Sequence, residues 1–236
     1  MKNLNLSFNN SLYGLGMFLS NLFCIFLSLS FHEFSHAYIA YKLGDNTAKE
    51  EGRLTLNPFK HIDALGAFCL FVFGFGWAKS VPINTNKFGK NYKRNLAVAA
   101  FAGPLSNLIL ALISILILKI LNSFTTFSGG ISFLKNLDTI QNLTIRTRMI
   151  LKDLIFTNIS IAVFNFIPLP PLDGSKMLNI FIPEKIYNKF LFLENYGYLI
   201  LFFLLEFTSL KVSLNKIVIY IYKNFEKIIN TLFFLK

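Results

Sequence analysis

Two histidines and a glutamate form the pattern His32-Glu33-Phe34-Ser35-His36 inside an apolar run from residue 22 to residue 41. Histidines four residues apart lie on one face of a helix, where both imidazoles can bind one metal ion. The glutamate beside the first histidine can take a proton from a metal-bound water. Ionisable groups are costly in a bilayer and seldom occur there without a function. The pattern therefore indicates a metal site that activates water within a membrane-spanning helix.

A catalytic zinc usually has three protein ligands and a water, so a third ligand must come from elsewhere in the chain. Asp173 is the strongest candidate, because it follows an apolar segment broken by three prolines and precedes Gly174. Irregular backbone at membrane depth is tolerated only where it lines a cavity or is buried in protein, and a carboxylate there needs a partner. The other candidates are Glu206, Glu194, Asp63 and His61.

Four of these five residues also have an interpretation without a metal. Asp173 could cap the start of a helix. His61 and Asp63 are expected to stabilise a loop, and Glu206 is expected to lie near an interface or to pair with a lysine.

The composition indicates an integral membrane protein. Of the 236 residues, 54% are hydrophobic and only 15% are charged, with a mean hydropathy of +0.53. A soluble domain would have about a quarter of its residues charged. The net charge of +11 is scattered between apolar runs, which favours lysines and arginines flanking membrane spans over a nucleic-acid-binding patch.

The apolar runs predict an all-α polytopic membrane protein of about 4–6 membrane segments, forming a single domain over residues 1–236. The second run has only 15 residues and predicts a re-entrant element. Strand-like pieces are expected on either side of it, at 52–58 and 77–84, and residues 122–152 are expected to form a polar connection of mixed structure. The last run could span the membrane or lie along its surface. The predicted segments are 12–41, 62–76, 95–121, 154–167, 196–207 and 214–235.

Basic residues predict the orientation of the chain. If 62–76 does not cross the membrane, the stretches 42–60 and 77–94 lie on one side and together carry nine lysines and arginines. The connection 122–152, on the opposite side, carries four. This asymmetry predicts that the side following the His-Glu motif faces the cytoplasm.

Three motifs in this order resemble the signature set of the site-2 protease family of intramembrane metalloproteases (peptidase family M50). They are His32 to His36, Gly103-Pro104-Leu105-Ser106-Asn107, and the run from Asn165 to Gly174. The intervening stretches 52–63 and 77–84 resemble the compact bacterial branch, without a PDZ or CBS domain.

The resemblance implies a zinc metalloendopeptidase that cleaves membrane-embedded substrates in a bacterial inner membrane. The charge asymmetry adds the expectation that its active site lies nearer the cytoplasm. It implies His32, His36 and Asp173 as ligands of one zinc ion and Glu33 as the general base. Asn165 matches an asparagine that holds the substrate backbone, and Asn107 matches a recurrent asparagine that supports the site. The expected partners are a membrane-protein substrate and lipid, with no nucleic acid.

Two alternatives stay open on the sequence. A different zinc peptidase would use a glutamate such as Glu206 as its third ligand. A non-catalytic membrane scaffold or transporter could keep a zinc site for stability alone, in which case Glu33 would be dispensable.

Overall fold

A computed structural model describes residues 2–73, 76–127 and 138–233, with only the backbone described for 2–13, 125–127 and 138–140. Within these residues the chain forms α-helices joined by short loops and three 3₁₀ turns, Pro58–Lys60, Thr85–Asn91 and Phe192–Tyr196. The helices are α1 Lys2–Lys42, α2 Thr47–Glu50, α3 Ala64–Phe73, α4 Tyr92–Phe127, α5 Asp138–Asn165, α6 Asp173–Leu178, α7 Glu184–Leu191, α8 Gly197–Phe207 and α9 Leu210–Phe233.

Three helical stretches of the described chain are long and apolar enough to cross a membrane: Gly14–Lys42, Thr85–Phe124 and Glu184–Phe207. The first ends where Gly44 adopts a φ of 104°, which lets the Asp45 amide donate back to the Ala40 carbonyl at 2.9 Å. Long apolar helices in a chain of this composition make an integral membrane protein.

The ten-residue helix α3 is too short to cross a bilayer, because it extends only about 15 Å at 1.5 Å per residue. The two ends of its segment meet. Ile62 and Ala78 form an isolated antiparallel bridge, and the Lys79 amide donates to the His61 carbonyl at 2.9 Å. This bridge is the only β-pairing among the described residues, so the expected strand-like pieces at 52–58 and 77–84 are not formed there as strands.

The main core lies where α4, α5 and α9 pack together. Aliphatic side chains of α4, α5 and α9 form one buried cluster. A lysine of α4 and a glutamate of α9, Lys119 and Glu226, are paired at 2.8 Å across this contact. The buried members of the core are Ala111, Ile115, Leu118, Leu151, Ile155, Ile159, Val163, Val218 and Ile229.

The polar connection expected at 122–152 is largely helical in its described part. Helix α4 continues to Phe127 and α5 begins at Asp138, while residues 128–137, including Lys135, lie outside the described chain. The hydropathy pattern indicates where a helix leaves an apolar environment. It does not indicate where the helix ends, because a helix can continue through polar residues of adequate helix propensity. The segment predicted at 154–167 is accordingly the second half of a 28-residue helix.

Candidate metal centre

Two helices, α1 and α6, carry His32, His36 and Asp173. Both histidines project from the C-terminal third of α1, one turn apart, and Asp173 is the first residue of α6. Helix α5 ends at Asn165, and the following turn contains Pro168, Pro170 and Pro171, which cannot donate backbone hydrogen bonds. This turn reverses the chain so that the start of α6 faces α1. All three side chains are about 4% exposed.

The three potential ligand atoms form a nearly equilateral triangle. The Nε2 atoms of His32 and His36 lie 3.0 Å apart, and each lies 3.0 Å from Oδ2 of Asp173. In a tetrahedral site with metal–ligand bonds of about 2.0–2.1 Å, ligand atoms are about 3.3 Å apart. The donor set and its spacing therefore fit one divalent metal ion, and no other group of three such residues converges in the described part of the chain.

The second nitrogen of each imidazole has an acceptor. Nδ1 of His36 donates to the Ala99 carbonyl of α4 at 2.8 Å, and Nδ1 of His32 donates to Oδ1 of Asn107 at 2.6 Å. A neutral imidazole protonated at Nδ1 presents a lone pair at Nε2. Two nitrogen lone pairs and a carboxylate oxygen thus face one another, an arrangement that a cation stabilises.

Asp173 is held from its other side by Lys176, whose Nζ lies 3.4 Å from Oδ1. Burial alone would raise the pKa of Asp173, but the neighbouring imidazoles and the Lys176 ammonium hold this pKa well below its usual range. This effect favours the ionised carboxylate, which is the form that binds a metal ion.

Gly103 allows α4 to approach the two imidazoles. A Cβ atom at this position would lie 2.3 Å from Nε2 of His36 and 2.7 Å from Cε1 of His32. No side chain larger than hydrogen fits there without displacing the ligands. One turn later the same helix supplies Asn107, so the glycine and the asparagine of this motif serve the same contact.

Glu33 lies beside the ligands and is 5% exposed. Its Oε2 accepts a hydrogen bond from the Val81 amide at 2.8 Å. The segment 77–84 that carries Val81 is held by two further charged groups. Arg53 donates to the Lys79 carbonyl at 2.7 Å, and Oδ2 of Asp45 accepts from the Asn84 amide at 2.7 Å. The extended segment therefore runs directly past the carboxylate.

A cavity of about 800 Å³ opens onto Glu33 and the three ligands. Its walls are mostly apolar, and they include segment 77–84, α3, the end of α5 and the start of α8. Trp77 and Tyr198 stack at its edge, with ring centroids 4.2 Å apart and an interplanar angle of 14°. Asn165 is partly exposed on the cavity wall, and its Nδ2 donates to the Ile161 carbonyl at 3.0 Å.

The other candidate ligands have local partners away from the triad. His61 donates from Nε2 to the Thr55 carbonyl at 2.8 Å, and Asp63 accepts from the Gly66 amide at 2.7 Å, as expected for loop residues. Glu206 lies 3.9 Å from Nζ of Lys211, which matches the expected lysine pair. Glu194 lies in the 3₁₀ turn before α8 and is not among the residues that converge on the histidines.

Sequence reasoning missed Asn158 and the Val81 amide, and it named Gly103 only as part of a motif, without a role. Asn158 is fully buried, and its Oδ1 accepts from Nδ2 of Asn107 at 2.7 Å. It lies seven residues before Asn165 on the same helix, inside an apolar stretch. A buried polar residue in such a stretch is a signal that could have singled it out.

Comparisons with known proteins place the chain in a family. The sequence model of Peptidase family M50 matches residues 20–207. The chain is 38% identical over 181 residues to "Putative zinc metalloprotease YwhC" of Bacillus subtilis (strain 168), covering 75% of each chain. It is 28% identical over 190 residues to "Putative zinc metalloprotease Rip2" of Mycolicibacterium smegmatis, covering 76% of this chain and 63% of that protein. No solved structure matches the chain.

Proposed function

The chain belongs to peptidase family M50, and on that premise we propose that it is a zinc endopeptidase that cleaves peptide bonds within or next to the membrane-spanning segments of its substrates. Support comes from the triangle of His32, His36 and Asp173, which fits a zinc ion and opens onto a largely apolar cavity. Its relatives are named as zinc metalloproteases. The whole chain, 1–236, is proposed to act as one membrane-embedded domain.

His32, His36 and Asp173 would hold the zinc. When bound, zinc supplies a Lewis acid that lowers the pKa of water and polarises a carbonyl group. Glu33 is the proposed general base. Its Oε2 is engaged by the Val81 amide, so Oε1 is the oxygen expected to take a proton from the attacking water. The same carboxyl group then gives that proton to the amine nitrogen of the leaving peptide.

Asn165 and the cavity walls are proposed to hold the substrate. The amide of Asn165, on the cavity wall at the end of α5, can donate to or accept from an extended peptide backbone. A substrate helix must unwind locally before its amides can be reached. Helix-breaking residues near the scissile bond lower that cost.

The proposed location is a bacterial inner membrane, with the site nearer the cytoplasmic face. The nine basic residues of 42–60 and 77–94 support this orientation, because both stretches lie on one side if 62–76 re-enters. The adjacency of Ile62 and Ala78 favours re-entry. Including α3 as a re-entrant element, about 4–6 segments would then contact the bilayer.

The decisive experiment compares membrane-protein fragments from cells that express the wild-type chain or Glu33→Gln. We expect a set of fragments to disappear in Glu33→Gln, while bound zinc and helical content remain. Glu51→Gln, on an exposed loop, is the matched control and should cut normally. If Glu33→Gln and the wild type produce the same fragments, the proposal is wrong and the non-catalytic scaffold is favoured.

A further inference from the structure

A chain of buried amides connects α5 to the first histidine. Asn158 accepts from Nδ2 of Asn107 at 2.7 Å, and Asn107 in turn accepts from Nδ1 of His32 at 2.6 Å. Both asparagines are fully buried. The chain crosses three helices, since Asn158 lies on α5, Asn107 on α4 and His32 on α1. Every one of these contacts lies in the interior, where water cannot substitute for a lost partner.

Backbone carbonyls at two points determine the direction of the hydrogen bonds. Nδ2 of Asn158 donates to the Leu154 carbonyl at 2.8 Å, which leaves its Oδ1 facing Asn107. Nδ2 of Asn107 also donates to the Ser28 carbonyl at 3.1 Å. Because carbonyl oxygens only accept, neither amide can be reversed without bringing oxygens together.

The orientation of Asn107 decides where His32 carries its proton. With Oδ1 of Asn107 towards the ring, Nδ1 of His32 must be the donor, and Nε2 then has a free lone pair. A reversed Asn107 amide would present N–H to Nδ1, which would place the proton on Nε2 and block that atom as a ligand.

We propose that Asn158 is a positioning residue of the metal site: it holds the Asn107 amide in the orientation that keeps the proton of His32 on Nδ1 and leaves Nε2 for zinc. Asn158 does not touch the ligand triangle itself. The Asn107 amide group donates to two acceptors, the oxygen of Asn158 and the Ser28 carbonyl. In a reversed Asn107 the side-chain oxygen would face both of these oxygens and be repelled by them. This inference rests on the proposed zinc ligands. It adds a residue that contacts no ligand itself and acts on one through an intermediate side chain.

The test measures zinc affinity of the full-length, zinc-loaded protein in detergent by competition with a chelator. Asn158→Leu keeps the shape of the side chain and removes the acceptor, and we expect zinc to bind roughly 10-fold more weakly or worse, as for other residues behind a metal ligand. Asn158→Asp keeps an oxygen towards Asn107 and should bind zinc within about threefold of the wild type. Ile159→Ala, the packing control on the next residue of α5, should leave zinc affinity unchanged.

The pair of isosteric variants separates this role from packing. If the residue were needed only for packing, the leucine variant would bind zinc more tightly than the variant with a buried aspartate. Tighter zinc binding by the aspartate variant would instead show that the hydrogen bond is what matters. If Asn158→Leu does not fold, Asn158→Ala replaces it in the comparison. Equal zinc affinity of the wild type and the folded leucine or alanine variant would overturn the inference.

A double-variant cycle tests whether Asn158 acts through Asn107. In an Asn107→Ala background, adding Asn158→Leu should cause no further loss of zinc affinity. If the double variant instead loses affinity by the product of the two single losses, Asn158 does not act through Asn107. His36→Ala serves as the reference for the underlying site. If His36→Ala keeps its zinc, the ligand assignment itself is wrong; if it loses zinc while Asn158→Leu does not, only the role of Asn158 is wrong.

Discussion

The Nε2 atoms of His32 and His36 lie 3.0 Å apart, and when both imidazoles are neutral neither Nε2 carries a proton that could bridge them. Each ring donates its single proton from Nδ1, one to Asn107 and the other to the Ala99 carbonyl. Oδ2 of Asp173 completes the set of three acceptors at the same spacing. In that neutral state the three acceptors repel one another, and a bound cation would relieve this repulsion.

The first prediction concerns the third ligand. Asp173→Ala should lose zinc, with affinity lowered by more than about 100-fold, because losing a direct ligand costs more than losing a residue behind one. Metal content after dialysis against a weak chelator measures this.

Glu206→Ala is the matched control, since this carboxylate pairs with Lys211 instead of facing the histidines. Retention of zinc by Asp173→Ala together with its loss from Glu206→Ala would show that the third ligand is Glu206 and not Asp173.

The second prediction concerns the close approach of α4. Gly103→Ala places a methyl group 2.3 Å from Nε2 of His36, so the ligands or the helix must move. We expect zinc binding to be lost and the free energy of unfolding to fall by about 1–3 kcal/mol. Metal analysis and thermal unfolding in the same detergent test both effects.

Gly16→Ala provides the comparison for Gly103→Ala, because a Cβ there meets nothing within 4 Å. It should keep zinc and be as stable as the wild type or slightly more stable. Normal zinc content in Gly103→Ala would mean that α4 lies farther from the imidazoles than described.

The third prediction concerns the segment that carries the Val81 amide. Arg53→Met removes the guanidinium that donates to the Lys79 carbonyl, and a lost hydrogen bond to a charged group costs about 1.5–3 kcal/mol. We expect slower cleavage with unchanged zinc content, because the ligands do not depend on this segment. Arg94→Met, on an exposed surface, should behave as the wild type in the same assay. Full activity of Arg53→Met would indicate that the segment keeps its place without this anchor.

The fourth prediction concerns the aromatic stack at the edge of the cavity. Tyr198→Leu removes the ring that lies against Trp77, a contact of about 0.5–1.5 kcal/mol beyond its buried area. Cleavage of a membrane substrate in proteoliposomes should slow, since α8 is no longer held against segment 77–84, while zinc stays bound. Tyr220→Leu, at a residue that is 69% exposed, is the control. Loss of zinc from Tyr198→Leu would instead show that the stack stabilises the metal site.

Local sequence was sufficient for several features of this protein. Apolar runs predict long helices, and the spacing of His32 and His36 puts both rings on one face, because helix geometry relates residues four apart. The short run at 62–76 predicts an element that does not cross the membrane, because a helix of this length is shorter than the thickness of a bilayer. The order of the three motifs was enough to predict the family.

Only the tertiary structure shows that Asp173, among the five candidate third ligands, lies next to the histidines, because 141 residues separate it from His32 and no periodicity relates the two. The same holds for Asn158, Gly103 and the Val81 amide, whose roles depend on which atoms of three packed helices and a loop come within hydrogen-bonding or van der Waals distance. Sequence spacing describes contacts within one helix. Contacts between helices are decided by how their side chains pack, and that packing here determines which nitrogen of each histidine faces the metal site.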